Sequence, residues 1–344
     1  MKILLGMSGG LDSTYAAYLM REQGWEVEGA VLQMHDYTEI EDARASAQAV
    51  GIPFHVIDCR ERFARCVQEP FIDEYLCGRT PNPCILCNRD VKFAALYEYA
   101  MSHGFDRIGT GHYSRIVCED GRYAVHCADD AKKDQSYVLW RLTQEQLAVI
   151  HTPLASLCKD DIRQKAEALG FSAAHKKESQ EICFIPDHDY AAYITARRGN
   201  APEGDFVDRN GKIVGRHRGI LHYTVGQRKH LGIALGEPVY VSAIDPETNR
   251  VYLAQAGGEY TDSMEVSALN FQRLDPEHLP DTIDAAVRIR YSSPMIPAHV
   301  TFRSEADGVC ASVRFDAPVR AVTPGQSAVF YADGTILFGG FIRS

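Results

Sequence analysis

No stretch of this 344-residue chain approaches the roughly 18 consecutive apolar residues of a membrane-spanning helix. A signal peptide is not expected either, because the opening MKILLGMSGG carries one lysine and a short apolar run broken by glycines. These absences exclude membrane-spanning classes and point to the cytoplasm. There is no fixed-period repeat and no low-complexity tract, which sets aside solenoids and arrays. Positive charge is in deficit: 36 Lys and Arg against 46 Asp and Glu give a formal net charge of −10. Over the whole chain this argues against a nucleic-acid partner, since phosphate binding leaves a basic footprint. Neither GxxxxGK[ST] nor GxGxxG occurs, which removes the common mononucleotide and dinucleotide loops. One CxxC is present without a second CxxC or an HxxxH, so a structural zinc site lacks half its ligands.

What is present describes a globular protein with ample core: 45% hydrophobic and 24% charged residues, over a length that suggests two or three domains. Ten irregularly spaced cysteines fit a reducing compartment. The first hundred residues alternate strand and helix signals: strands at Lys2–Gly6, Val27–Gln33, Phe54–Ile57 and Arg107–Gly109, helices at Ser13–Gln23, Glu41–Val50 and near Asp90–Ser102. That rhythm implies a parallel sheet with helices on both faces and a ligand site at the carboxyl ends of its strands. After Asp205 glycines and short β-type runs take over, as in VGRHRGILHYTVGQRKHLGI. From Val266 the pattern is all-β, which reads as a small barrel or sandwich. The expected units are 1–205 (α/β), 206–265 (small and basic) and 266–344 (β-barrel).

The strand at Lys2–Gly6 runs directly into Gly6-Met7-Ser8-Gly9-Gly10-Leu11-Asp12-Ser13, followed by a helix. Glycines there let backbone N–H groups approach phosphate oxygens, and the helix N-terminus adds partial positive charge. The plain alternative is a tight turn with Asp12 and Ser13 as helix caps. Ser-Gly-Gly-x-Asp-Ser resembles the pyrophosphate (PP) loop of ATP pyrophosphatases, the adenine nucleotide hydrolase-like fold. By that resemblance Ser8, Gly9, Gly10, Ser13 and Thr14 hold pyrophosphate and Asp12 helps place Mg2+. The loop implies adenylation, without saying of what.

Arg79-Thr-Pro-Asn-Pro-Cys-Ile-Leu-Cys-Asn88 is the second informative stretch. Asn82 and Pro83 precede Cys84 and Cys87, and Lys92 follows. A CxxC at a helix start is expected to have lowered thiol pKa through the helix dipole. It could be a redox pair, half a zinc site or part of an iron–sulfur site. Cys183, in KKESQEICFIP, is flanked by Ile182 and Phe184 as a buried hydrophobe would be, yet lysines and a polar SQE precede it.

Taken together, SGGLDS, RTPNPCILCN, GTGHYSRI, KKDQSYVL, KESQEICFIP, TVGQRKHLGI, RIRYSSP and FDAPVRAVTPGQSAVFY resemble the tRNA-specific 2-thiouridylase (MnmA) family over nearly the whole chain. Members adenylate O2 of the wobble uridine, position 34, in tRNAs for Lys, Glu and Gln, then replace it with sulfur carried as a cysteine persulfide. The resemblance implies that Cys183 carries the persulfide and Cys87 is its partner, with release through a Cys87–Cys183 disulfide. It implies ATP contacts from Gly6–Ser13, Leu32 and Gly111. It also implies tRNA contacts from Asn82, Pro83, Cys84, His112, Lys133, Asp134, Gln135, Arg290, Tyr291 and Gln326. The partners it implies are the anticodon arm of tRNA and a sulfur donor, either a cysteine desulfurase or a relay protein. A monomer acting on one tRNA is expected.

The chain departs from the family pattern at Cys84, where Asp is usual. Either Cys84 substitutes locally in a persulfide mechanism, or Cys84, Cys87 and Cys183 ligate a [4Fe–4S] cluster whose open iron carries sulfide. Smaller departures are His230 in place of Gly, Val319 in place of Gln, and a short loop at Met34–Tyr37. The net charge conceals a basic stretch: Phe206–His230 holds Arg209, Lys212, Arg216, Arg218, Arg228 and Lys229 against Asp208 alone, with Arg197 and Arg198 just upstream. That answers the objection from bulk charge, although a solvated charged face would look the same. Arg288, Arg290, Tyr291 and Arg303 add stacking and phosphate-binding side chains in the β-unit. Three rival functions are a small-molecule adenylating ligase, a non-catalytic ATP or tRNA sensor, and a thiolase acting at another tRNA position.

Overall fold

A computed structural model describes residues 1–176, 182–306 and 308–343. Part of the Cys183 motif, residues 177–181, lies outside the described residues. The α/β part begins with β1 (Lys2–Gly6), α1 (Leu11–Glu22), β2 (Glu26–Gln33), α2 (Ile40–Val50) and β3 (Phe54–Asp58). Side chains on β1 alternate between two cores: Ile3 and Leu5 pack with Tyr15, Met20 and Ala47, whereas Leu4 faces Phe71 and Leu96. Period two with both faces buried is what a central parallel strand requires. In α1, buried Leu11, Tyr15, Ala16 and Met20 form the face against the sheet.

The run from 60 to 76 is one bent helical path, α3 (Arg60–Phe63), a π-helical turn (Ala64–Gln68) and α4 (Glu69–Leu76). A second path joins α5 (Pro83–Leu86), a π-helical turn over Cys87–Phe93 and α6 (Ala94–Ser102). The helix expected near Asp90–Ser102 therefore starts earlier and opens with a widened turn, a feature that often marks functional sites. Next come β4 (Arg107–Thr110), β5 (Ser114–Glu119), β6 (Arg122–Cys127), α7 (Gln144–Val149), β7 (Ile150–His151), α8 (Lys159–Ala168) and α9 (Tyr190–Arg198). The parallel sheet has the order β3-β2-β1-β4-β7. The order reverses between β1 and β4, which makes their carboxyl ends the switch point where ligands bind.

Strands β8 (Gly204–Asp208), β9 (Ile213–His217), β10 (Val239–Asp245) and β11 (Arg250–Gln255) form a small sheet over Phe206, Tyr223, Val241 and Leu253. Only 214–217 of the expected β-type run VGRHRGILHYTVGQRKHLGI lies in a strand. Beyond it Gly219, Gly226, Gly232 and Gly236 have positive φ, which breaks any further ladder.

The last unit is β12 (Tyr260–Phe271), β13 (Thr282–Arg288), β14 (Ile296–Glu305), β15 (Gly308–Arg320), β16 (Ser327–Ala332) and β17 (Thr335–Ile342). They run β12-β15-β14-β13-β16-β17 and close through a β12–β17 pairing, so this is a barrel. The β5–β6 hairpin of the α/β part adds to the barrel edge: Thr335 pairs with His126, and the Cys127 N–H donates to Gly334 O at 2.8 Å. Gln272, wholly buried, accepts from the Val125 N–H at 2.9 Å and donates to Leu139 O and Trp140 O at 3.0 Å. Leu221, Val329, Tyr331 and Ile336 share one core with α/β residues such as Phe71 and Trp140.

Candidate active site

Gly10, at the N-cap of α1, has extended backbone, and no side chain caps this helix. That rules out Asp12 and Ser13 as caps and leaves the N–H groups of the first turn to an anion. The loop is instead braced from within. The Ser8 N–H donates to Ser13 Oγ at 3.2 Å, while the hydroxyls of Ser13 and Thr14 donate to Gly10 O at 3.2 and 2.9 Å. Gly9 has φ +73°, and a Cβ there would lie 2.7 Å from the backbone of Asp42 and Ala43. Met7, buried, is tied to β2 by its N–H donating to Ala30 O at 2.8 Å.

Register places the rest of the expected nucleotide set around this loop. Gly6 pairs with Ala30 and Thr110, so Leu32 and Gly111 stand at the ends of the two strands flanking β1. A Cβ on Gly111 would sit 2.8 Å from the Asp12 carbonyl carbon, which makes this contact a glycine-only approach. Asp12 Oδ1 accepts from Tyr113 OH at 2.7 Å and from Lys159 Nζ. Lys159 is buried, with its ammonium 5.6 Å from the Tyr113 ring. Asp12 Oδ2 has no hydrogen-bond partner among the described residues. One carboxylate oxygen beside an open phosphate cradle suits Mg2+, which binds through one or two carboxylates plus substrate phosphates.

The three thiols gather close enough for their charges to act on one another. The Asn82 side chain accepts the Cys84 N–H at 3.1 Å and starts α5, with Pro83 buried at its first position. Cys87 is buried and lies 3.6 Å from Met34 Sδ, in the loop after β2. Phe184, edge-on to Phe63, Phe71 and Tyr193 at 5.4 Å, anchors Cys183. All ten cysteines are free. The charge of Lys92 acts on Cys84, Cys87, Cys183 and His112 alike, and Cys87 also feels both other thiols.

The expectation of a lowered thiol pKa is overturned. Burial pushes Cys87 up to about 12 and Cys183 up to about 11, and it raises Cys84 too. Cys84 and Cys183 expose surface, yet the protein atoms packed around each sulfur raise its pKa by desolvation. A helix terminus contributes about 0.3–1 kcal/mol, less than a tenfold change in ionisation, and α5 is only four residues long. Desolvation wins. Burial likewise drives the His112 pKa down, with Lys92 adding to it, so the ring is neutral; its Nδ1 is 2.8 Å from Thr110 Oγ1. Among the described residues no group of three His, Cys, Asp or Glu side chains is set to hold a metal ion.

The residues expected to face RNA divide into two sets. Tyr291, 45% exposed, interacts electrostatically with Lys133 and Cys84 and lies edge-on to Tyr137, which puts it beside the thiols. Gln135 accepts the Tyr113 N–H at 3.0 Å. Asp134 is buried: its carboxylate accepts from the N–H groups of Ala128 and Ser136, from Ser136 Oγ at 2.8 Å and from Arg288 Nη1 at 2.7 Å. Asp134 is thus a bolt between the α/β part and the barrel, with no oxygen turned to solvent for RNA. Arg290 donates to Ala321 O and to Thr323 Oγ1, and Gln326 Nε2 donates to Thr80 O at 2.6 Å. These two brace the cysteine segment from the barrel side.

Sequence reasoning gave no role to Lys159 or Tyr113, assigned Arg288 to phosphate binding although its guanidinium pairs with buried Asp134, and noted Lys92 without giving it a role. The only sequence signal for Lys92 was its position five residues beyond Cys87, one widened turn along the same helix.

Comparison with known proteins agrees with this layout. Residues 1–187 match a family described as tRNA methyl transferase HUP domain, 191–255 its PRC-barrel domain, and 261–342 an aminomethyltransferase beta-barrel domain. The chain is 44% identical to the tRNA-specific 2-thiouridylase of Carboxydothermus hydrogenoformans, over 99% of this chain and 97% of that protein. It is 45% identical to the same enzyme of Acetivibrio thermocellus, over 99% and 98%. A solved 4-thiouridine synthetase–RNA complex with bound ATP is similar at 18% identity and a TM-score of 0.38, over 54% of this chain and 45% of that one.

Proposed function

The chain belongs to the tRNA-specific 2-thiouridylase family, and from that premise we propose that it replaces O2 of uridine 34 in tRNAs for Lys, Glu and Gln with sulfur. The observation that supports this reading most is the placement of three thiols and a lysine one strand-end away from an uncapped pyrophosphate-type loop. Methyl transfer, named in the descriptions of the matching families, needs neither ATP activation nor paired thiols. A small-molecule adenylating ligase would have no use for the thiols either.

A uridine carbonyl oxygen is a poor leaving group, and adenylation converts it into AMP. ATP lies along the loop Gly6–Ser13 with Leu32 and Gly111 at its sides; O2 attacks the α-phosphorus and pyrophosphate departs into the N–H groups of α1. Mg2+, placed through Asp12, would neutralise charge on those phosphates. The terminal sulfur of a Cys183 persulfide then attacks C2, and AMP leaves with the C–O electron pair. Cys87 attacks Cys183 Sγ, breaking the S–S bond so that the outer sulfur stays on C2 as the thiocarbonyl. Attack of Cys87 on the persulfide before C2, releasing sulfide as the nucleophile, ends in the same Cys87–Cys183 disulfide. An external thiol reductant resets either route. The sulfur comes from a cysteine desulfurase or a relay protein, and the enzyme acts as a cytoplasmic monomer. In this reading 1–205 activates, while 206–265 and 266–344 hold the RNA.

Mass spectrometry of tRNA nucleosides from a deletion strain tests this. The expected result is loss of 2-thiouridine at position 34; an unchanged nucleoside profile refutes the proposal.

A further inference from the structure

Two side chains from other elements hold the carboxylate of Asp12, and both reach the same oxygen. Tyr113, in the turn after β4, donates its hydroxyl to Oδ1 at 2.7 Å, and Lys159, the first residue of α8, brings its ammonium to Oδ1 as well. Tyr113 and Lys159 are only 2% and 5% exposed, so both bonds are shielded from water. Oδ2 is the oxygen left to the phosphate cradle. A free carboxylate turns readily about its last torsion, whereas two donors on one oxygen fix it. Mg2+ demands near-ideal octahedral geometry at about 2.0–2.1 Å, so a carboxylate that turns holds the ion less well than one that is braced.

Tyr113 is held in turn by Gln135. Gln135 Oε1 accepts the Tyr113 N–H at 3.0 Å, and the Gln135 N–H donates to Tyr113 O at 2.9 Å. Both backbone polar groups of Tyr113 are thus committed to one residue 22 positions along the chain. Gln135 stands between two fixed neighbours: Asp134, bonded to Arg288 of the barrel at 2.7 Å, and Ser136, whose Oγ lies 3.1 Å from Tyr331 OH. Lys133, on the far side of Asp134, is near enough to Tyr291 for their charges to interact. A single residue, Tyr113, therefore separates the segment 133–135 from the carboxylate of the nucleotide loop. Phenylalanine would fill the same core; the hydroxyl is what reaches Asp12.

We propose that Tyr113 is a positioning residue for the carboxylate assigned to Mg2+, and that through Gln135 it couples RNA held at 133–135 to the nucleotide loop. The inference rests on the tRNA-thiolation reading and adds an order of events to it. RNA seated on Lys133 and Gln135 fixes Tyr113, Tyr113 fixes Asp12, and the phosphates are aligned beside an acceptor. The coupling has a chemical use: a loop fully aligned without RNA would hydrolyse ATP with water as the acceptor. It is also reciprocal, so nucleotide tightens RNA by the same factor by which RNA tightens nucleotide.

The test uses Mn2+ as a spectroscopic stand-in for Mg2+, with α,β-methylene-ATP, which cannot be cleaved between its α- and β-phosphates. Free Mn2+, counted by its EPR signal, gives the dissociation constant with and without a tRNA Lys transcript. In the parent, tRNA should tighten Mn2+–nucleotide binding about fivefold or more. Tyr113→Phe keeps the ring and removes the hydroxyl. It should weaken Mn2+–nucleotide binding about tenfold, the scale of a hydrogen bond to a charged group, and bring the tRNA effect to within about twofold of none. Its tRNA affinity without nucleotide should stay parental, because the hydroxyl points to Asp12; general misfolding would lower that affinity too. Gln135→Ala approaches the link from the other end with the hydroxyl intact and should also remove the tRNA effect. Parental Mn2+ affinity in Tyr113→Phe would overturn the positioning role. A parental tRNA effect in either variant, or none in the parent, would overturn the coupling. A parent that binds no tRNA refutes the thiolation reading, while the Mn2+ affinities still decide the role of Tyr113. A parent that thiolates tRNA while Tyr113→Phe keeps both quantities refutes this inference alone.

Discussion

Alkylation of Cys183 offers the sharpest check on the thiol cluster. Burial holds this thiol at about 11, against about 8.5 for an ordinary cysteine. At pH 7 the thiolate fraction is therefore lower by roughly 300-fold. A more basic thiolate is also a better nucleophile, with a Brønsted coefficient of about 0.4–0.5, which returns roughly a factor of 10. The net expectation is iodoacetamide labelling about 20–30-fold slower than N-acetylcysteine at the same pH. The rate should still climb about tenfold between pH 9 and 10, where an ordinary thiol has nearly levelled off. Quantifying the Cys183 peptide by mass spectrometry after timed quenching reads both quantities. Lys92→Gln removes the cation that lowers all three thiols, so it should slow labelling further, while Lys92→Arg keeps the parental rate. A Cys183 rate equal to that of N-acetylcysteine at pH 7, or a half-maximal rate near pH 8.5 with a plateau by about pH 9.5, would refute the claim that desolvation controls this sulfur.

Gly111→Ala drives a methyl group into the Asp12 backbone; ATP affinity should fall tenfold or more by calorimetry with circular dichroism unchanged, and parental affinity would contradict the close approach. Arg288→Met strands the buried Asp134 carboxylate and should cost about 3 kcal/mol in chemical denaturation. Asp134→Asn on the same background should restore part of it, and a loss below about 1 kcal/mol would mark the pair as no better than a surface ion pair. Cys87→Ser and Cys183→Ser should each abolish thiolation in a gel-shift assay of thiolated tRNA while keeping tRNA affinity; full turnover in Cys87→Ser would end the two-cysteine mechanism.

The nucleotide half of the site was legible because its determinants are local. A strand, three glycines and a helix within 22 residues encode the loop, and strand ends at Leu32 and Gly111 follow from the parallel rhythm. The barrel was legible for the same reason, through alternation within each strand. The thiol chemistry was not. Proximity to a helix start suggested acidic thiols, but burial depends on Met34, Phe184 and the barrel, which are distant in sequence. Asp134 shows the same limit: KKDQ looks like an exposed polar stretch, and only Arg288, 154 residues away, reveals a buried ion pair. The run 214–233 was read as glycines, turns and short β-type segments, whereas beyond His217 its positive-φ glycines make it a loop packed against Ala321 and Thr80.

The hairpin that leaves the nucleotide strand and joins the barrel edge bears on how the chain can be cut. Three matched segments in the sequence invite the view that each could be expressed or exchanged alone. A chain ended before Tyr260 would lose the strands that cover Trp140 and Tyr137, both wholly buried, and would leave the outer edge of β6 unpaired. Two uncovered aromatics beside a free strand edge form an aggregation template. Modularity here belongs to the gene and not to the folded protein, and any chimera should carry residues 114–142 together with the barrel they complete.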